Sequence, residues 1–467
     1  MKFTFTEKIV SLLLLLLSIF FVALAQSNGQ QPTQVAADLQ RAAGLLQSGK
    51  LDEAESILRH LTSTNPNNSD AHNLLGIVLD QRGQTEQAER EYRTAIKLNP
   101  NAVSARTNLG ILLGHSNRAE EAVKTFEAVL QLVPDHPQAT LNLALQYSAI
   151  GADDRAVPLF QKALTLGIDN YTIRYRLGVS LFNLKRFKEA AASFQAAVPL
   201  ADNAAEPYYY LGLIAWNTGE QSQAMDWWNQ SVKLRPQFPA AFFMLGEALR
   251  SNRKVTASID YYKHALEQDP AKFVYYARLG GVYITLGQPG PALEVFRRAV
   301  QRFPQLPQAH YFMGIAARAN ADYELAETEL RKSLELEPDN VNSLAQLGFI
   351  LFERNHVNEA ESTLRRAIAI NDKHFYANYD LGRLLVKSRR YDESIPILQR
   401  AAALKPNNPG AHYQMFIALS RLKRKDEADR ELAVFKDLEE ARKRKPRIEG
   451  DTDDDDAQNP SSSSPQE

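Results

Sequence analysis

Residues 69–102 read SDAHNLLGIVLDQRGQTEQAEREYRTAIKLNPNA. Numbered from Ser69 as position 1, this stretch carries Leu75, Gly76 and Leu79 at positions 7, 8 and 11. That spacing is one face of a helix. Ala88, Tyr92 and Ala95 repeat it at positions 20, 24 and 27. The stretch therefore predicts two amphipathic helices of about 13 residues each. Gly83, at position 15, falls between them, where a turn needs a permissive backbone. Pro100, at position 32, ends the second helix because it constrains the residue before it.

The same marks recur along the chain. Gly76, Gly110, Gly178, Gly212, Gly246, Gly280, Gly314, Gly348 and Gly382 keep the 34-residue spacing, with Ala144 filling the one gap. Alanine holds position 20 from Ala54 to Ala428, interrupted only by Ser258 and Ser394. Proline marks position 32 at Pro66, Pro100, Pro134, Pro236, Pro270, Pro304, Pro338 and Pro406. Pro137, Pro239, Pro307 and Pro409 stand at position 1, where a helix loses nothing by lacking an N–H. The three series share one phase and define twelve units, starting at 35, 69, 103, 137, 171, 205, 239, 273, 307, 341, 375 and 409. Together they span 35–442, and a fixed period of this size signals stacked repeats. Length alone, 467 residues, suggests about three domains; the period replaces that with one array held by contacts between neighbours. Ile168, Asp202 and Asp372 replace the proline. Pro158 and Pro396 fall near the first turn of a second helix, where they are expected to loosen it.

The pattern Leu-Gly at 7 and 8, Ala at 20, an aromatic or Leu at 24, Ala at 27 and Pro at 32 resembles the tetratricopeptide repeat family. Unit eight shows it as Leu279, Gly280, Ala292, Phe296, Ala299 and Pro304. The resemblance implies an all-α solenoid, a right-handed superhelix whose first helices line a concave groove. In the family that groove is lined by positions 2, 5, 9, 12 and 13. Carried onto this chain, those positions give Tyr175, Phe182, Tyr209, Trp216, Phe243, Arg250, Tyr311, Arg318, Phe352, Tyr379, Arg383 and Tyr413 as candidate partner-binding residues. Glu247 and Lys387 fall among them. Tyr, Trp and Arg are the types that supply binding hot spots. The aromatics either bind a ligand or fill contacts between neighbouring repeats. The paired Asn108 and Asn142 at position 6 resemble the groove of glycosyltransferases fused to such repeats, but the series stops after two units.

The ends of the chain read differently. Lys2 and Lys8, the apolar run Ile9–Val22 and Ala23-Leu24-Ala25 form an export signal over 1–25. Cleavage after Ala25 leaves a polar linker, 26–34; without cleavage the same segment anchors the chain to a membrane. The protein is therefore expected outside the cytoplasm, periplasmic or secreted. Residues 443–467 hold a basic run, Asp453 to Asp456 and Ser461 to Ser464, and are expected to be a disordered tail.

Composition narrows the chemistry. Lys and Arg total 54 against 55 Asp and Glu, a formal net charge of −1. That balance gives no global pull toward nucleic acid. Zero cysteine excludes disulfides, thiolate metal sites and cysteine nucleophiles. No phosphate-binding loop, zinc-protease helix or nucleophile elbow occurs. His72, His310 and His412 share position 4, a packing position in separate repeats. Glu53, Glu121, Glu189 and Glu359 precede the position-20 alanine, where they suit the positive end of the second helix. No catalytic, cofactor or metal site is expected, and the flanks of the array leave no room for a catalytic domain. The leading expectation is a non-enzymatic, exported scaffold that binds a peptide segment or protein in its groove. The alternative is an accessory subunit of a glycan-handling, secretion or envelope-assembly complex. Partner identity and oligomeric state are not legible.

Overall fold

The residue at position 15 decides how each repeat closes. In the computed structural model, which describes residues 34–444, this residue has φ near +60 to +90° in all twelve repeats. Five repeats place glycine there: Gly49, Gly83, Gly151, Gly219 and Gly287. Seven do not: Asn117, Lys185, Arg253, Ala321, Asn355, Arg389 and Lys423 take the same left-handed conformation. The turn recurs because its hydrogen bonds do. In repeat seven, Arg253 N–H donates to the Arg250 carbonyl at 3.0 Å and Lys254 N–H to the Leu249 carbonyl at 2.9 Å. In repeat two, Gly83 and Gln84 make the same pair to Asp80 and Leu79. This pairing satisfies the last carbonyls of a helix by reversing the chain through a left-handed residue. Left-handed backbone costs an L-residue about 1–2 kcal/mol, and glycine gives back part of that in unfolded-state entropy, about 0.5–1 kcal/mol. Ala321→Gly, at an exposed turn, is thus expected to raise the thermal unfolding midpoint. An unchanged or lower midpoint would contradict the turn's strain.

The helices begin where the repeat phase places them. First helices run Ser69–Gln81, Val103–His115, Pro137–Ala149 and so on to Pro409–Arg421, each opening on position 1; repeat one opens a residue earlier, Gln34–Gln47. Second helices run from position 17, as in Thr85–Leu98 and Pro289–Arg302. The described residues hold 24 α-helices and no strand. Two of the repeats without Pro at position 32 end their second helix early. Asp153–Thr165 stops at a left-handed Gly167, and Phe187–Ala197 passes into a 3-10 turn, Val198–Leu200. Of the other two, Val357–Ile370 keeps full length, and the last repeat has Glu440 at position 32. Pro158 and Pro396 lie inside helices that continue through them. The last helix, Lys425–Arg444, extends to 20 residues. The segment 1–25 expected to be an export signal, most of the expected linker and residues 445–467 lie outside the described residues.

Two compact units divide the chain at Gly219 and Glu220, between the two helices of repeat six. The first unit holds eleven helices, Gln34–Gln47 to Ala205–Asn217, and the second thirteen, Gln221–Leu234 to Lys425–Arg444. Within each, a first helix packs on the second helix of its own repeat, which packs on the first helix of the next. Each unit is thus an α-solenoid with a core strung along the repeats. The small residue at position 8 meets the large one at position 24 of the same repeat. A Cβ added at Gly76, Gly110, Gly178 or Gly246 would lie 2.6 or 2.7 Å from a ring carbon of Tyr92, Phe126, Phe194 or Tyr262. Gly314, Gly348 and Gly382 meet Leu330, Leu364 and Leu398 instead.

A network of charges, not foreseen from single positions, ties neighbouring repeats. Glu361 accepts from Arg365 of its own helix and from Arg390 of the next repeat, which also holds Glu393. Glu89, Arg93, Arg118 and Glu121 repeat this arrangement; in a related set Glu327 accepts from Arg331 and from Arg354 of the next repeat, and it is Arg331 that reaches Glu359. Burial pushes the Glu361 carboxyl up, but hydrogen bonds from Arg390 and Arg365 outweigh it and hold the group below 4.5. Exposed Glu393 is likewise held down by Arg390. A carboxyl lowered in the folded state stabilises above its unfolded pKa, and that contribution fades as pH falls through the lower folded value. The unfolding midpoint is therefore expected to fall as pH drops below the ordinary Glu value of 4.5, and Arg390→Gln should flatten that decline. A profile unchanged by the substitution would argue against the network.

Candidate binding groove

The first helices carry positions 5, 9, 12 and 13 on one face because those residues recur at helical spacing. In the first unit this face is an aromatic layer at repeats five and six. Tyr175 stacks on Tyr171 with ring centres 5.7 Å apart and meets Tyr210 edge-on at 6.0 Å. Phe182 lies 5.4 Å from Tyr210 and 5.6 Å from Phe187. Tyr210 stacks on Phe194 at 4.9 Å and meets Tyr209 edge-on at 5.7 Å. Tyr210 is the hub of the layer, joining rings of two consecutive repeats. Sequence reasoning left it out because it occupies position 6, outside the five groove positions. Burial is the main force pushing the Tyr175 and Tyr210 hydroxyls above the ordinary phenol value. Tyr209 and Trp216 are half-buried.

In the second unit, aromatic packing gives way to aromatics with charge. Phe243 packs on Tyr262 and Tyr275 at 5.8 and 5.1 Å. Its neighbour Glu247 accepts from the Tyr262 hydroxyl at 2.5 Å and from Arg278 Nε of the next repeat at 3.0 Å. Arg250 reaches the same carboxylate at 3.4 Å. Tyr311 and Phe352, at 8% and 5% exposure, lie within the repeat stack. Tyr413 stands more open, at 41% exposure, and packs on Phe435 at 5.0 Å.

Repeats nine to eleven bring the largest set of candidates together. The Arg318 guanidinium lies 5.3 Å from the centre of the Phe349 ring. Arg383 lies over Phe352, Tyr379 and Phe349 at 5.3, 5.7 and 5.9 Å. It also pairs with Asp380 at 3.1 Å and Glu353 at 3.2 Å. Lys387 Nζ stands 4.8 Å above Phe352. Cations over ring faces are attracted by the ring quadrupole, which fixes long side chains that would otherwise be loose. Phe349 was missed, although it stands at position 9, because position 9 drew attention only through its charged residues. The buried Phe352 thus forms the floor beneath two cations rather than an open contact. His72, His310 and His412 each meet a glutamate of the same repeat, Glu91, Glu329 and Glu431, at 2.6 to 2.7 Å, a contact between the two helices of that repeat.

These pairs of helices, closed by left-handed turns and packed small against large, define a helical-repeat solenoid. Two family models, each described as tetratricopeptide repeat, match the chain. One matches residues 45–109, 79–144 and 385–437, the other 141–207, 211–272, 278–341 and 346–409. The chain belongs to the tetratricopeptide repeat family. Repeats of this family are generally non-enzymatic scaffolds that bind protein or peptide partners, and the fold suits protein–protein interaction. Among solved structures, the chain is similar to the APC/C hetero-tetramer Cut9–Hcn1 at 14% identity, covering 87% of this chain and 94% of that one, with a TM-score of 0.43. It is similar to yeast Tom70 at 15% identity, covering 84% and 96%, with a TM-score of 0.37. It is also similar to Pseudomonas aeruginosa pilF at 22% identity, covering 44% and 94%, with a TM-score of 0.39. No curated protein matches the sequence significantly.

Proposed function

We propose that the protein is a non-enzymatic scaffold that acts outside the cytoplasm and binds a peptide segment or protein domain on the first-helix face of its repeats. The observation that carries this reading is the side-chain layer of repeats nine to eleven, where Arg383 is held over Phe352 and Tyr379. Such fixed aromatic and arginine groups lose little freedom on binding, which is the property of interface hot spots. Placement outside the cytoplasm rests on the apolar run Ile9–Val22 and the small residues before Gln26. A pull-down from an envelope fraction, with residues 26–467 as bait, tests the binding. Specific partners should be retained by the unaltered chain and lost from a Phe349→Ala, Tyr379→Ala variant. Equal recovery by both would remove this face as the binding surface. N-terminal sequencing of protein from the same fraction should begin at Gln26; a chain still starting at Met1 would remove the cleavage.

A further inference from the structure

The first helices of the second unit carry an excess of positive charge on the candidate face. Position 6 belongs to this face, since Arg278 reaches Glu247 at position 9. Over positions 2, 5, 6, 9, 12 and 13 of repeats seven to twelve stand Arg250, Arg278, Arg318, Arg383, Lys387 and Arg421. Glu247, Glu353 and Asp380 oppose them, six cations against three anions. In repeats one to six the same positions hold Arg176 against Asp70, Asp80 and Glu206. A chain with a net charge of −1 has thus concentrated cations on one face of one unit.

The geometry sharpens this. Arg318 and Arg383 share the ring of Phe349, and Arg383 and Lys387 share that of Phe352. Three like charges from repeats nine and eleven converge on two rings of repeat ten. Like charges brought together are mutually unfavourable unless an anion joins them. Asp380 and Glu353 both pair with Arg383. Lys387 is exposed and makes no ion pair to any described residue. A second observation points the same way. Gln346, at position 6 of the repeat between, is 3% exposed, and its side-chain oxygen has no hydrogen-bond partner. A buried acceptor without a donor is costly, and an N–H from a bound chain would relieve it.

We propose that this layer, Arg318, Gln346, Phe349, Arg383 and Lys387, binds an acidic, extended peptide segment of a partner protein. Its Asp or Glu carboxylates lie against Arg318 and Lys387, beside the Arg383 pair with Asp380 and Glu353, and a backbone N–H meets Gln346. A cation over a ring face can still donate its N–H groups to a carboxylate. The inference rests on the scaffold reading above and adds the charge of the partner.

The probes are fluorescein-labelled acetyl-Asp-Glu-Asp-Glu-Asp-Glu-amide and its Asn/Gln counterpart, titrated into the full chain by fluorescence anisotropy. The acidic probe should bind, more weakly as salt rises, and the neutral one should not. Lys387→Glu, at an exposed position, should weaken the acidic probe about tenfold or more with the thermal midpoint unchanged. Arg318→Gln should weaken it in the same direction. Equal binding of the two probes, or full affinity in Lys387→Glu, overturns the proposal. A full-length variant with Asp453→Asn, Asp454→Asn, Asp455→Asn and Asp456→Asn should bind the probe as the unaltered chain does. A gain of about tenfold would make the chain's own tail the occupant and overturn a partner in trans. Partners recovered in the pull-down that the acidic probe fails to displace would sink this inference alone. Probe binding with no partner recovered would sink the scaffold reading and leave the site standing.

Discussion

Phe296→Ala is expected to destabilise the second unit by about 3–5 kcal/mol, the usual loss for a buried phenylalanine. Phe296 is fully buried, stacks on Phe312 of the next repeat at 5.5 Å and fills the space opened by Gly280 of its own. It therefore joins the two interfaces that hold a repeat array together, the one inside the repeat and the one between repeats. In such arrays the stability of a unit depends on its neighbours, so the damage should spread beyond repeat eight. Urea unfolding followed by circular dichroism reads the effect. Phe296→Leu supplies the control, because Leu330, Leu364 and Leu398 fill the same position in later repeats. It should cost no more than about 1.5 kcal/mol. If the alanine variant lost less than the leucine variant, the packing described here would be wrong.

Gly246→Leu carries the second large effect, of opposite origin. A Cβ at position 246 would lie 2.7 Å from a ring carbon of Tyr262. The ring cannot swing aside freely, because its hydroxyl donates to Glu247 at 2.5 Å and Glu247 also holds Arg278 of the next repeat. Overpacking of this kind costs about 1–3 kcal/mol, and here it also pulls on a half-buried ion pair on the candidate binding face. The thermal midpoint should fall clearly, with Gly246→Ala falling less. A midpoint equal to that of the unaltered chain would show that the helices do not meet closely at position 8.

Much of the fold was legible because the repeat writes one message twelve times. Position 8 is small and position 20 is Ala or Ser in nearly every unit, and neither choice is explained by helix propensity alone. Helix starts were readable for the same reason, from Pro137 to Pro409. The position-15 turn was half legible: five glycines announced it, while Lys185 and Arg253 gave no sign of a left-handed backbone. There the hydrogen bonds of the turn override the preference of the residue. The binding face was legible in residue type and not in role. Tyr175 and Phe182 proved to be joined through Tyr210, and Phe352 proved to be a floor rather than an open contact.

The sequence by itself determined the repeat class, the phase and the small residues at positions 8 and 20, because these are local choices repeated at a fixed period; that position 8 meets position 24 came from the structure. The tertiary structure alone decided which charges meet. Glu361 with Arg390, and Arg318 with Arg383 over one ring, are separated by 29 and 65 residues. Nothing in the period says which residue of one repeat will face which residue of the next. That depends on the angle at which packed helices cross and on which long side chains find a ring or a carboxylate within reach.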